Sequence, residues 1–135
     1  SLPFFFRNEN PPCLQLARTL LAPTVYCILA DNTRFVFPNT ATYFSWYPDF
    51  SGVQTIPLAI ISTSRLVGNV TMRPGALVKI QTDPKVYVVT SSVGHLRALP
   101  SEQRALSLFG SSWATQIKDV PDTFFIDYMV GPAVL

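Results

Sequence analysis

Charge is what this sequence lacks most. Of its 135 residues ten are Lys or Arg and eight are Asp or Glu, a charged share of 13% and about half of what a soluble domain usually carries. The net charge of +2 is too small to argue for nucleic acid or an anionic membrane. The basic residues form no stripe and no glycine-rich phosphate loop is present, so phosphate-cofactor readings find no support. Glycine is scarce, six against twelve prolines, which favours short, stiff connections. There is one histidine, His95, and there are two cysteines, Cys13 and Cys27. Two thiols and one distant imidazole cannot build a four-ligand zinc site. No run reaches the roughly 18 apolar residues of a membrane span. Ser1 is neither an initiator Met nor the start of a signal-peptide pattern, so the expected chain is processed, truncated or excised.

What is abundant is apolar. Hydrophobic residues make up 48% of the chain and aromatics 13%. A surface this poor in charge is hard to keep solvated, and the expectation is that neighbouring domains or subunits cover part of it. The length suits one compact domain, or two small repeats sharing one core. Cys13 and Cys27 either form a disulfide tying the N-terminal arm to the first strand, in an oxidising compartment, or are a pair of buried free thiols.

Residues 1–13 read as an apolar extended arm. Phe4, Phe5 and Phe6 cannot all face one core from a strand or a helix, and Pro3, Pro11 and Pro12 argue for extended chain. Leu14 and Leu16 alternate like a short strand, and residues 17–21 could begin a helical turn. A hairpin follows, 25–29 and 34–37 about the Asp31-Asn32 turn. Pro38 and Asn39 then open a helix through Tyr43, Phe44 and Tyr47, which Pro48 ends. Residues 58–61 are apolar enough for a buried helical turn, and 66–70 return to extended chain. Strand 76–81, a turn at 82–85 and a second hairpin from Val86 come next. Pro100 and Ser101 open a helix over 102–109 with Ala105, Leu106, Leu108 and Phe109 as its apolar face and Gly110 at its end. Trp113, Ile117 and Val120 are helix-like in spacing, and Pro121-Asp122 starts a short helix.

The chain says the same thing twice. Val25-Tyr26 answers Val86-Tyr87 at an offset of 61, and Phe37-Pro38-Asn39 answers Leu99-Pro100-Ser101 at 62. Ile56-Pro57 answers Val120-Pro121 at 64, and Leu14 and Leu16 look like the counterpart of the strand near Leu77. The predicted fold class is therefore α+β: two similar repeats of about 60 residues, 14–71 and 72–135, each a β-hairpin followed by short helices, in a single compact domain. The matched positions are apolar, aromatic, proline and glycine. Repeated architecture requires such residues; repeated chemistry does not.

These motifs also carry a resemblance. The Val25-Tyr26 strand, Arg34-Phe-Val-Phe-Pro-Asn39, the aromatic run 42–53, and the stretches 68–75, 78–87 and 119–125 together resemble a tandem repeat of large secreted surface proteins in ultrasmall candidate-phylum bacteria. The resemblance covers about residues 14–131. It departs from the pattern at Val93-Gly94-His95, where a plainer Asn-Gly turn is usual, and at 57–61, which is more apolar than the usual acidic helix start. It implies an S-layer-like or envelope component and carries no implied activity.

A search for chemistry finds little. Glu9, Asp31, Asp49, Asp83, Glu102, Asp119, Asp122 and Asp127 mostly sit beside proline, in turns or at helix starts, where carboxylates do structural work. His95 reads as a turn residue with no histidine partner and no nucleophile elbow. A hydrolase would need two facing carboxylates, or His95 within reach of Ser or Asp. Asp119, Asp122 and Asp127 lack calcium-loop spacing, and Asn69-Val70-Thr71 matches a glycosylation sequon too short to argue from.

The expectation is thus a non-enzymatic extracellular module at the cell surface, without cofactor or metal, that self-assembles into a homo-oligomer or polymer. The assembly contacts expected are Phe4, Phe5, Phe6, Val134 and Leu135, so deleting residues 1–12 should leave a folded chain that does not polymerise. The alternative is a glycan- or cell-wall-binding adhesion module, with Trp46, Tyr47 and Phe50 as an exposed stacking platform.

Overall fold

The computed structural model describes residues 13–135, so Phe4, Phe5 and Phe6 lie outside the described residues. The chain forms two compact units that divide between Val70 and Thr71.

In the first unit, β1 (Gln15–Arg18), β2 (Tyr26–Ile28) and β3 (Thr33–Val36) form an antiparallel meander. After α1 (Thr40–Trp46), β4 (Val53–Thr55) pairs in parallel with β1. After α2 (Leu58–Ile61), β5 (Arg65–Asn69) pairs in parallel with β3. The sheet order is β4-β1-β2-β3-β5. The second unit repeats the plan with β6 (Leu77–Ile80), β7 (Asp83–Val89) and β8 (His95–Ala98), then α3 (Glu102–Phe109). A 3-10 turn (Trp113–Gln116), β9 (Ile117–Asp119), a second 3-10 segment (Asp122–Asp127) and β10 (Met129–Val130) complete it. Its order, β9-β6-β7-β8-β10, is the same topology. The fold is mixed α+β with two five-stranded sheets and few short helices.

The sequence landmarks of the repeat coincide with the same backbone hydrogen bonds. Phe37 N donates to Val25 O and Leu99 N to Val86 O; Ile56 N donates to Arg18 O and Val120 N to Lys79 O. The helices begin alike, on Asn39 and Ser101 in extended conformation, whose side chains accept from Thr42 N and Arg104 N. Each cap satisfies one of the orphan donors of a helix start. Pro48 then stops α1 and Gly110, at φ 85°, stops α3, as their backbone restrictions dictate.

The buried side chains group by unit. On the helix-covered face of the first sheet they are Leu16, Val25, Cys27, Phe37, Tyr43, Trp46 and Val70. The equivalent face of the second holds Leu77, Val88 and Val134, with Val86, Leu99, Leu108 and Phe109 packed against them. Position by position this is one cluster written twice. The other face of the second sheet has its own cluster of Met72, Val78, Tyr87, Val89, Leu96 and Val120.

Several local expectations need correction. Residues 17–21 form no helical turn: β1 runs to Arg18, and Leu20 and Leu21 stand exposed on the turn that follows. The expected turn at 82–85 is shorter, because Asp83 already pairs with Ile80. Ile117 belongs to an edge strand rather than a helix, because β6 offers it a parallel partner. In α2 only Ile61 is buried while Leu58 and Ile60 face outward; four helical residues present one side chain to a core.

Candidate functional site

The aromatic run of α1 and its following loop holds the stacking platform of the alternative, adhesion reading. Tyr43 is the centre of it: its ring lies 4.6 Å from Phe50, 5.1 Å from Phe37 and 5.3 Å from Tyr47. Its hydroxyl donates to Asp49 O at 2.6 Å, and burial, with the Asp49 charge second, raises its pKa. Asp49 in turn accepts from the Ser51 hydroxyl and amide, which lowers its carboxyl pKa and fixes the loop. Burial likewise raises Tyr47. Trp46 is 3% exposed and sits in the core, so it cannot stack on a ligand. The helix buries Tyr43 and Trp46, three residues apart on one face. That turns Phe44 outward to 47% exposure, the same as Phe50, with the two rings 5.1 Å apart. Of the expected platform, Phe50 is exposed, Tyr47 half-buried and Trp46 withdrawn. Beside Phe50 lies a shallow cleft of about 320 Å³ walled by Pro23, Val25, Phe37 and Tyr43.

The expected assembly contacts divide in the same way. Val134 is 4% exposed and packs with Leu77 and Val88. It is the counterpart of Val70: Val134 N donates to Ala98 O as Val70 N donates to Val36 O. Val134 is therefore a core residue of its own unit and not a free contact. Leu135 is 96% exposed, and its carbonyl accepts from Arg104 Nε.

The outermost strands were not singled out from the sequence. On β5, Leu66 and Val67 are exposed; on β10, Met129 and Val130 are. The two strands occupy equivalent places, Thr33 pairing with Arg65 and His95 with Met129. Leu58 and Ile60, just ahead of β5, and Ile126, just ahead of β10, are exposed as well. The signal was present as short apolar runs, but apolar runs do not say which side faces water.

Cys13 and Cys27 form a disulfide, with Cα atoms 5.0 Å apart. It fastens the chain two residues ahead of β1 to the buried centre of β2. In the second unit the entering segment is held differently, by Met72 N donating to the Tyr128 hydroxyl at 2.9 Å.

His95 does meet a serine. Ser91 Oγ lies 2.6 Å from His95 Nδ1, which is the first requirement of an activated nucleophile. The repeat explains the pair otherwise. In the first hairpin, Asp31 Oδ1 accepts from Thr33 N at 3.1 Å and from Thr33 Oγ1 at 2.6 Å. In the second, Ser91 Oγ accepts from His95 N at 3.2 Å and meets the His95 ring. His95 stands where Thr33 stands, since Leu29 N donates to Thr33 O and Thr90 N to His95 O. Both pairs are clasps that close a hairpin turn. Other carboxylates have similar duties: Asp83 accepts from Lys85 N, Asp122 accepts from Thr82 Oγ1, and Asp119 pairs with Lys79 at 3.3 Å.

Among the described residues no group of three or more His, Cys, Asp or Glu could hold a metal ion, and no helix is long and apolar enough to cross a membrane. Comparison with protein-family models, with curated proteins and with solved structures finds no match.

Proposed function

We propose that this chain is an extracellular structural module whose copies pack against one another in a cell-surface layer or filament. The observation that carries the reading is the exposure of apolar side chains on two edge strands of equivalent place, Leu66 and Val67 on β5 and Met129 and Val130 on β10, with Leu66 matching Val130 and Arg65 standing where Met129 stands. Open strand edges are normally guarded by charge, proline or a cover. Here Arg65 is the one charged residue on β5 and β10 has none. Burying each of these half-exposed side chains is worth about 1 kcal/mol, and a polymer repeats that gain at every contact. The disulfide supports an oxidising compartment, and the resemblance to surface-protein repeats points the same way. Phe4, Phe5, Phe6 and Leu135 are assigned to the same contacts.

Sedimentation velocity across a concentration series, with electron microscopy of the same samples, tests this. The expected result is concentration-dependent growth into ordered polymers. Val67→Lys combined with Met129→Lys should give a monomer with an unchanged far-UV spectrum. A wild-type chain that stays monomeric throughout the series would overturn the reading. The adhesion reading is weaker, since the tryptophan it relied on is buried. Binding on a glycan array that Phe50→Ala abolishes would revive it.

A further inference from the structure

The turn between β7 and β8 holds more than its own hairpin. Met129 N, at the start of β10, donates to Gly94 O at 2.9 Å, and Thr71 Oγ1, ahead of β6, reaches Ser92 O at 3.5 Å. The start of the edge strand that carries Met129 and Val130 is thus tied to the loop that the Ser91–His95 clasp closes, while its far end is held to β8 by Gly131 N donating to Leu96 O at 2.8 Å.

The clasp has a countable hydrogen-bond capacity. A serine hydroxyl has one donor and two acceptor sites. Ser91 Oγ accepts from Val93 N at 3.3 Å and from His95 N at 3.2 Å, which fills both acceptor sites. The 2.6 Å contact with His95 Nδ1 is satisfied only if the hydroxyl donates to that nitrogen. The imidazole is then neutral, with its proton on Nε2. A proton on Nδ1 would bring a third donor to an oxygen that can accept two. In the first unit the same clasp is made by Asp31 and Thr33, where hydrogen bonds from Thr33 lower the carboxyl pKa. That one has no such conflict.

We propose that Ser91 and His95 form a pH-sensitive latch: protonation of His95 opens the β7–β8 turn and loosens the attachment of edge strand β10. Histidine is the side chain that changes charge in the mildly acidic range. The ionisable groups on the adjoining elements are Asp127, whose carbonyl lies beside Gly94, Arg73 ahead of β6, and Arg97 on β8. The Arg97 guanidinium donates to the carbonyls of Pro132 and Ala133. This inference concerns the turn itself and stands whether or not the chain polymerises.

Amide hydrogen exchange at pH 7.5 and pH 5, corrected for intrinsic rates and read residue by residue on the full chain, tests it. Protection of the His95 and Met129 amides should fall about fivefold at the lower pH, the worth of one neutral hydrogen bond. The equivalent Thr33 and Arg65 amides should not change. His95→Thr, which installs the first unit's residue, should keep both second-unit amides equally protected at the two pH values. The imidazole nitrogen shifts at pH 7.5 should place the proton on Nε2. Equal protection of wild type at both pH values, an unaltered pH response in His95→Thr, or a neutral ring protonated on Nδ1 would each overturn the proposal.

Discussion

At Gly94 the backbone has φ 85°, and a Cβ built there would lie 2.7 Å from Thr71 Cγ2 and 3.0 Å from Asp127 O. Gly110 has the same φ with nothing within 4 Å. Alanine at either position meets the left-handed cost of about 1–2 kcal/mol, and only at 94 does it also meet atoms. Gly94→Ala should therefore cost at least about 1 kcal/mol more than Gly110→Ala in urea unfolding. Tyr128 gives a second residue-level test. Burial is the main cause that pushes its phenol up to about 12, against the bond from Met72 N that opposes it. A pKa raised in the folded state means that the neutral phenol is favoured there. The stability it contributes is complete below pH 10 and is lost as pH rises from 10 through 12. Tyr128→Phe should remove that alkaline loss. At neutral pH it should destabilise by about 1–3 kcal/mol, because Met72 N loses its acceptor. Unfolding curves at pH 8 and pH 11 for both proteins check the sign.

At the scale of elements, the helices are short and depend on their ends. Asn39 and Ser101 cap α1 and α3 with the same geometry, so Asn39→Ala and Ser101→Ala should each cost about 1 kcal/mol, measurable by thermal unfolding. A much smaller loss at Ser101 would mean that α3 is held by Leu108 and Phe109 rather than by its start. The two entering segments make a sharper contrast. The first is held to its sheet by the disulfide, the second by the Tyr128 hydroxyl. The disulfide closes a loop between residues 14 apart, for which constraint of the unfolded chain contributes about 3 kcal/mol. Reduction, or Cys13→Ser with Cys27→Ser, should remove about that much from the first unit.

For the whole molecule, each described buried cluster lies within one unit, and each unit contains one tryptophan, Trp46 or Trp113. Reduction should therefore lower the denaturation midpoint reported by Trp46 and leave that reported by Trp113 in place. Single-tryptophan variants, Trp46→Phe and Trp113→Phe, separate the two signals. A common shift of both midpoints would show that the units unfold as one.

The duplicated α+β plan, both capped helices and the hairpins were legible in the sequence, because turn residues, caps and apolar alternation act over a few neighbouring positions. Phe37-Pro38-Asn39 and Leu99-Pro100-Ser101 specify a strand exit and a helix entry wherever they occur. The tertiary structure alone decided which apolar side chains are free. Trp46 and Phe44 are two residues apart on one helix, yet one is core and the other surface, since the packing of Tyr43 sets the rotation of the helix. Val134 and Leu135 are neighbours with opposite fates, because Val134 takes the place that Val70 holds in the first unit. The outer positions of β5 and β10 were invisible for the same reason. A strand becomes an edge only when the rest of its sheet has been placed, and that placement depends on partners distant in sequence.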